Sequence, residues 1–402
     1  MKRYFGLSST LILVKLIAAV LLTGTVVFTA PGTFCHAAGI EAGDSSGTME
    51  AGTSENGDTD ASGIMNTGSS GKKDDEDSVT LVMIGDVLMH DKVIRSGLRA
   101  NGSYNYDHLF ENVRGKIEAA DLAIVNQETI LGGEELKITG YPSFNSPYEL
   151  GDAEVKAGFD VVLHGTNHAL DRFSKGVENC LDHWEKEHPE VEVLGIHDSA
   201  EDQRELCIKE INGIKLAILN YTYDTNGIQM PKEKPYLVDY LSEKKVRADI
   251  ARAEKEADIT IVCPHWGTEY SLEVSKEQEK WTEIFLESGV DLCIGTHPHV
   301  IEPVEVIRDD KGHEMTVYYS LGNFVNATSG TGKGVMNRMV GGMAEVTIRR
   351  LQNGEVKVTE HETEPVVCHL GEEKVSVYFL KDYTAGLADR NRIREQDPDF
   401  SL

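Results

Sequence analysis

From Val79 onward the chain alternates two apolar rhythms. Short runs of β-branched and aliphatic residues, VTLVMIG (79–85), DLAIVN (121–126), FDVVLH (159–164), VEVLG (191–195), ITIVCP (259–264) and DLCIG (291–295), read as strands. Between them, residues 106–120, 176–188, 242–257 and 276–288 space their apolar positions as one face of a helix does, and residues 154–159 close a shorter one. CIKEI (207–211) and IKLAIL (214–219) flank Asn212-Gly213, a pair that readily takes the positive φ values of a tight turn, so a hairpin is expected there. After residue 302 the rhythm changes: PVEVI, MTVYYS, MAEVTIRR and EVKVTEHE are strands joined by turns at 310–312 and 353–354, with no long helix between them. The expected architecture is α/β (α+β): a mixed first sheet and a more antiparallel second sheet, each covered outside by helices, in a four-layer αββα sandwich.

The first part of the chain follows neither rhythm. Lys2 and Arg3 precede a mostly apolar stretch, residues 7–30, whose one charge is Lys15, and small residues near Ala37 offer a cleavage point. Residues 1–38 therefore read as a signal peptide or an N-terminal membrane anchor, which places the remainder outside the cytoplasm, secreted or membrane-tethered. Residues 39–78 are Gly, Ser, Thr, Asp and Glu with almost no large apolar side chain, the composition of a disordered acidic linker. The globular part is expected over 79–380, followed by a polar, peripheral tail over 381–402.

Net charge changes the list of partners. The chain carries −28, with +3 in the leader and −8 in the linker, so about −23 remains on the globular part. A surface of that sign repels nucleic acid, and an anionic substrate is welcome only where cations dominate the local field. The cysteines beyond Cys35 are Cys180, Cys207, Cys263, Cys293 and Cys368, an odd set without close spacing. Cys263 and Cys293 sit inside apolar strand runs and read as buried thiols.

Candidate chemistry gathers where the strands end. Asp86 follows the first strand, Asn126 and Glu128 the second, Asn167 and His168 the third in GTNHALD, His265 a later one in PHWGTEY, and His297 and His299 the last in GTHPHV. Strand ends of an open α/β sheet share one edge, so these side chains can converge. Carboxylate, carboxamide and imidazole suit a pair of divalent ions, Mn, Fe or Zn, and the absence of paired cysteines argues against a thiolate site. Side chains two apart on extended backbone share a face, which pairs Asn126 with Glu128 and His297 with His299. His168 is the candidate proton donor to a leaving group, with Asp171 three residues on to fix its tautomer. His90 is either a ligand or the start of a helix. Glu269, Tyr270, Glu302 and Glu305 are candidates for contacts to ligands or substrate, and Ser320, Gly322 and Asn323 for the rim.

Taken in order, GD, NQE, TNHALD, HWGTEY, GTHPHVIEPVE and YSLGNF resemble the CapA-type poly-γ-glutamate capsule biosynthesis family, within the calcineurin-like metallophosphoesterase superfamily. The resemblance covers about residues 79–367. It implies the four-layer sandwich and a dinuclear centre, with Asp86, Glu128, Asn167, His265, His297 and His299 as ligand positions and His168 as acid or charge stabiliser. Two positions depart from the wider superfamily: Leu88 stands where its first motif has histidine, and NQE where its second has a bridging aspartate. One metal then relies on His90 or Asn126 to complete it. The function implied is a metal-dependent, hydrolase-like protein acting on an anionic envelope polymer or phosphoester, beside membrane capsule-synthesis proteins. Two rival readings stay open: a non-catalytic accessory subunit of a polymer synthesis or export complex, and an exported phosphoesterase with other envelope substrates.

Overall fold

The computed structural model describes residues 77–327, 334–372 and 374–391. The expected leader and nearly all of the expected linker lie outside the described residues, as do residues 392–402. Among the described residues no helix is long and apolar enough to cross a membrane.

Strands β1 (Ser78–Val87), β2 (Leu122–Gln127), β3 (Val161–Leu163) and β4 (Glu192–Leu194) run parallel and alternate with helices. Then β5 (Cys207–Ile211), β6 (Ile214–Thr222), β7 (Ile259–His265), β8 (Leu292–Ile294), β9 (Val304–Arg308) and β10 (Glu314–Tyr318) build a second sheet in the order β5-β6-β7-β8-β10-β9. Finally β11 (Asn323–Val325), β12 (Val340–Arg350), β13 (Val356–Leu370) and β14 (Val375–Phe379) return to the first, giving β14-β13-β12-β1-β2-β3-β4 with β11 beside the end of β1.

Period-two alternation sorts β1 between two cores. Val79, Leu81 and Met83 face the second sheet and pack in one cluster with Leu216, Ile218, Ile261 and Cys263. Val82 and Ile84 face outward to the helices, packing in another with Val93, Leu150, Val177 and Trp184. On the far side, Tyr221, Val262 and Cys293 pack under Val246, Ile250, Trp281 and Phe285 of two further helices. The result is the four-layer αββα sandwich.

The late strands divide differently from expectation. The second sheet is parallel through β6, β7, β8 and β10, with antiparallel edges only at β5 and β9. The long antiparallel run, β12 to β14, extends the first sheet instead. The cause is the open side of β1: β12 pairs with it from Ser78↔Arg349 to Ile84↔Met343 and adds Ala344, Val346 and Ile348 to the core between the sheets.

Residues 106–120 form only a 3-10 turn, Asp107–Leu109, and one helical turn, Arg114–Ile117. Their apolar spacing did mark a buried face, since Leu109, Phe110, Val113 and Ile117 are all buried. Asn112 and Gly115 are poor helix formers, and Asn112 is instead tied to the Val377 carbonyl of β14. The longer helices fall close to expectation, at Phe173–Glu187, Glu243–Glu256 and Lys276–Ser288. The last begins with Ser275 and Gln278 bonding each other's backbone and ends at Gly289, φ 104°. At the hairpin, Asn212 and Gly213 take φ of 49° and 74°. The start of the expected tail is not peripheral: Leu387 and Ala388 of the helix Ala385–Arg390 are buried, and Asn391 accepts from the Leu370 backbone N–H.

Candidate metal centre

Every strand-end residue singled out as a ligand lies at the carboxyl edge shared by β1, β2, β3, β7 and β8. Asp86 is fully buried where β1 kinks between Ile84 and Asp86. Gly85 makes that kink possible, because a Cβ there would stand 1.9 Å from the Gly322 carbonyl oxygen. Asp86 is then held from three sides: Oδ1 accepts from Asn126 Nδ2 at 2.9 Å and from the His297 backbone N–H at 3.2 Å, and Oδ2 meets His299 Nδ1 at 2.9 Å. Asn126 thus orients Asp86 while its own carbonyl oxygen stays buried without a hydrogen bond.

Glu128 follows β2 and has no exposure at all, and neither carboxylate oxygen makes a hydrogen bond. Its Oε1 lies 3.7 Å from both His265 Nε2 and His299 Nε2. Burial pushes its carboxyl well above the usual range, and nearby Asp86 adds to that against the opposing pull of His299. Glu128, His297 and His299 each offer a ligand atom, all within 4.8 Å of one another.

Asn167 and His265 arrive from opposite sheets and meet with Oδ1 and Nε2 3.0 Å apart, while His265 Nδ1 is fixed by the Thr296 hydroxyl at 3.0 Å. His297 Nδ1 is buried with no hydrogen bond. Burial, together with the neighbouring imidazoles, holds His265 and His297 well below the ordinary histidine value, in the neutral form that ligates metals. His299 goes the other way, to about 9: burial works against its charge, but Glu128 and Asp86 outweigh it.

The THPH segment is not extended, as its sequence suggests. His297 and His299 adopt φ of 99° and 59°, a region that non-glycine residues rarely enter. The twist is over-determined by its surroundings: the His299 carbonyl accepts from Asn323 Nδ2, the Pro298 carbonyl from the Tyr270 N–H, and the Thr296 carbonyl from the Trp266 N–H. It turns both rings toward the same centre, 5.7 Å apart.

His168 sits beside this group. Its Nδ1–H donates to Asp171 Oδ2 at 2.8 Å, and the same oxygen accepts from the Phe144 N–H. That pairing leaves Nε2 for proton exchange, with the ring packed edge-on against Phe144.

The additional candidates divide. His90 stands at the N-cap position of the helix Asp91–Gly97 without a side-chain capping bond, its Nδ1 accepts from the Ala327 N–H, and burial holds it down to about 4. Asn323 supports the backbone of His299 and of Arg338 and leaves its carbonyl oxygen unpartnered. Glu269 is exposed near the group. Glu302 turns elsewhere, to Gln278 Nε2 at the base of the helix Lys276–Ser288, and Glu305 faces the Tyr319 hydroxyl. Gly322 serves the backbone at Asp86, and Ser320 bonds the Val300 carbonyl.

Sequence reasoning missed the loop after β6. There Tyr223 packs its ring 4.7 Å from His297, and Asn226, at φ 52°, contacts both Asn167 and His168. The same strand-end rule that singled out the other candidates applies to this loop. Arg338 was also missed: its guanidinium lies 5.3 Å over the ring of Tyr270, itself half-exposed and 5.8 Å from His299.

The donor set fits divalent cations. Two buried carboxylates, several carboxamides and three imidazoles converge, and the unpartnered atoms Glu128 Oε1 and Oε2, His297 Nδ1 and Asn126 Oδ1 would each be costly in a protein with nothing to bind.

A family profile described as "Bacterial capsule synthesis protein PGA_cap" matches residues 80–328, more than half of the chain. Two curated relatives are 26% identical over 265 residues: "Capsule biosynthesis protein CapA" of Bacillus anthracis, covering 63% of this chain and 61% of the relative, and "PGA biosynthesis protein CapA" of Bacillus subtilis (strain 168), covering 62% and 64%. The chain thus spans less than two thirds of the length of either. Among solved structures, a 5'-nucleotidase precursor from Thermus thermophilus aligns at TM-score 0.45 and 15% identity over 72% of this chain and 54% of that one. The NAD nucleotidase of Haemophilus influenzae aligns at 0.46 and 14% over 79% and 62%.

Proposed function

The chain belongs to the bacterial capsule synthesis family PGA_cap, and from that premise we propose that it is a metal-dependent, hydrolase-like protein acting outside the cytoplasm in the synthesis, release or anchoring of an anionic envelope polymer of poly-γ-glutamate type. The observation that carries this reading is the convergence of Asp86, Glu128, Asn167, His265, His297 and His299 from both sheets, with buried ligand atoms left unpartnered.

Two divalent ions held by those residues would supply hydroxide near neutral pH and a Lewis-acid clamp on substrate oxygens. The chain's own part is positional. Asp86 is locked by Asn126 and the His297 N–H, and Glu128 lies between His265 and His299, placed to serve both sides of the centre. His168 Nε2 is the atom from which a proton would pass to the leaving group, and Asp171 on Nδ1 would support the imidazolium that carries it. Arg338, at the exposed edge beside Tyr270, offers a positive charge to an anionic chain approaching an otherwise acidic surface. An N-terminal leader would hold this domain at the envelope beside capsule-synthesis membrane proteins.

The accessory reading is favoured by one observation: Leu88, buried and apolar, occupies the position where the wider superfamily carries a histidine. Metal content and hydrolysis, measured together on phosphodiesters and γ-glutamyl peptides, separate the two. Metal-dependent turnover that disappears in His297→Ala supports the hydrolase. Metal bound without turnover supports the accessory role, and turnover unchanged in the variant rejects the assignment.

A further inference from the structure

Away from the strand ends, a second group of ligand-type side chains closes between two helices on the outer face of the first sheet. Asp152 lies in the first turn of Glu149–Ala157, and His183 and His188 lie in and just after Phe173–Glu187. His188 Nε2 meets Asp152 Oδ1 at 2.7 Å, and His183 Nε2 stands 3.4 Å from the same oxygen. The three ligand atoms all lie within 4.8 Å of one another.

Asp152 Oδ1 faces both rings, but only the contact to His188 has hydrogen-bond geometry. The His183 ring is more than nine-tenths buried, and its Nε2 is turned toward the carboxylate yet makes no hydrogen bond. Its plane is set by stacking on Tyr148, with centroids 4.6 Å apart and 14° between the rings. His183 and His188 are five apart, a spacing that would separate them on a continuous helix. They meet because the helix ends at Glu187 and His188 leaves it at φ −139°, ψ 56°, so the second ring folds back beside the first.

We propose that Asp152, His183 and His188 form a separate transition-metal site, most suited to Zn²⁺, that clips the helix Glu149–Ala157 to the helix Phe173–Glu187. Two imidazoles and one carboxylate select zinc or a similar ion over calcium or magnesium. Metal–ligand bonds of 2.0–2.1 Å in a tetrahedron separate the ligand atoms by about 3.3 Å, close to the 3.4 Å between His183 and Asp152, whereas the 2.7 Å hydrogen bond between His188 and Asp152 would open by roughly 0.6 Å as an ion replaced its proton. The fourth position opens to water, because the Asp152 side chain is half-exposed. The role is structural. Phe173–Glu187 follows directly on the His168–Asp171 loop, so the clip steadies the scaffold behind that loop without touching the strand-end centre.

The test uses the full chain, stripped of metal and then dialysed against Zn²⁺ alone. Asp152→Asn and His188→Gln each change a side chain with solvent access, and each should lower bound zinc by about one equivalent per chain relative to wild type. The same loss should appear in a His297→Ala background, which separates this site from the strand-end centre. In the metal-free state both variants should unfold close to wild type, and zinc should raise the unfolding temperature of the His297→Ala protein but not of His297→Ala combined with Asp152→Asn. Loss of one ligand should weaken binding by more than the roughly 10–100-fold typical of losing a supporting partner. Zinc content identical in wild type and both variants would overturn the proposal.

Discussion

Replacing Glu128 by glutamine should make the metal-free protein more stable and the metal-loaded protein less so. The side chain has no exposure and neither oxygen is hydrogen-bonded, so in the absence of a cation only the attraction of His299 works against its desolvation, and burial outweighs it. An ion in that position costs several kcal/mol. The amide also lacks partners there and costs about 1–3 kcal/mol, so the expected net gain is about 1–3 kcal/mol. For a domain of this size each kcal/mol moves the unfolding temperature by about 2 °C, giving a rise of about 2–6 °C in chelator. With metal present the order should invert. A bound ion at a thousand times its dissociation constant stabilises wild type by about 4 kcal/mol, and the variant forfeits most of that. Thermal unfolding of both proteins in chelator and in Mn²⁺ or Zn²⁺ reads the crossover. A variant that melts below wild type in chelator would refute the reasoning, since Glu128 would then be making a stabilising contact without metal.

Gly85→Ala should destabilise the fold by about 3 kcal/mol or more, because its Cβ would overlap the Gly322 carbonyl, and should weaken metal binding by displacing Asp86; denaturant unfolding and metal content check both. If turnover is found, His168→Ala should lower it by about 10²–10⁴-fold while metal content stays unchanged; equal turnover would remove His168 from proton transfer. His197 gives a pH signature remote from the centre. Burial opposes its charge, but hydrogen bonds to Asp202 and Asp239 raise it to about 9. Its contribution, about 3 kcal/mol for a shift of that size, is fully present below about pH 6.5 and is lost as pH rises through 9. The stability difference between wild type and His197→Gln should therefore shrink across that window, and a difference that is flat with pH would contradict the assignment.

The sequence made the strand ends legible because each candidate ligand follows a run buried on both faces, so the apolar pattern marks where the strand stops and the polar motif begins. Asp86, Glu128, Asn167, His265, His297 and His299 were visible for that reason. What the pattern could not carry was backbone shape and long-range pairing. His297 and His299 converge through positive φ rather than through extended alternation, held by contacts from Asn323 and Tyr270 that are remote in sequence or on a loop. The late strands look alike locally, and only the open side of β1 decides that β12 joins the first sheet while β10 joins the second. Glu302 has the residue type and spacing of a site carboxylate, yet Gln278 captures it. Asn226 lies on a connecting loop and Arg338 on the short helix Val335–Met339, neither with a periodicity to flag it.

The central claim is that six side chains from two sheets share one cation centre. Crystals of the protein loaded with Mn²⁺ or Zn²⁺, with anomalous scattering recorded at the metal edge, test it most directly. The account predicts anomalous density between Glu128, His297 and His299, extending toward Asp86 on one side and toward Asn167 and His265 on the other. Density confined to Asp152, His183 and His188, with none among the strand-end residues, would contradict it.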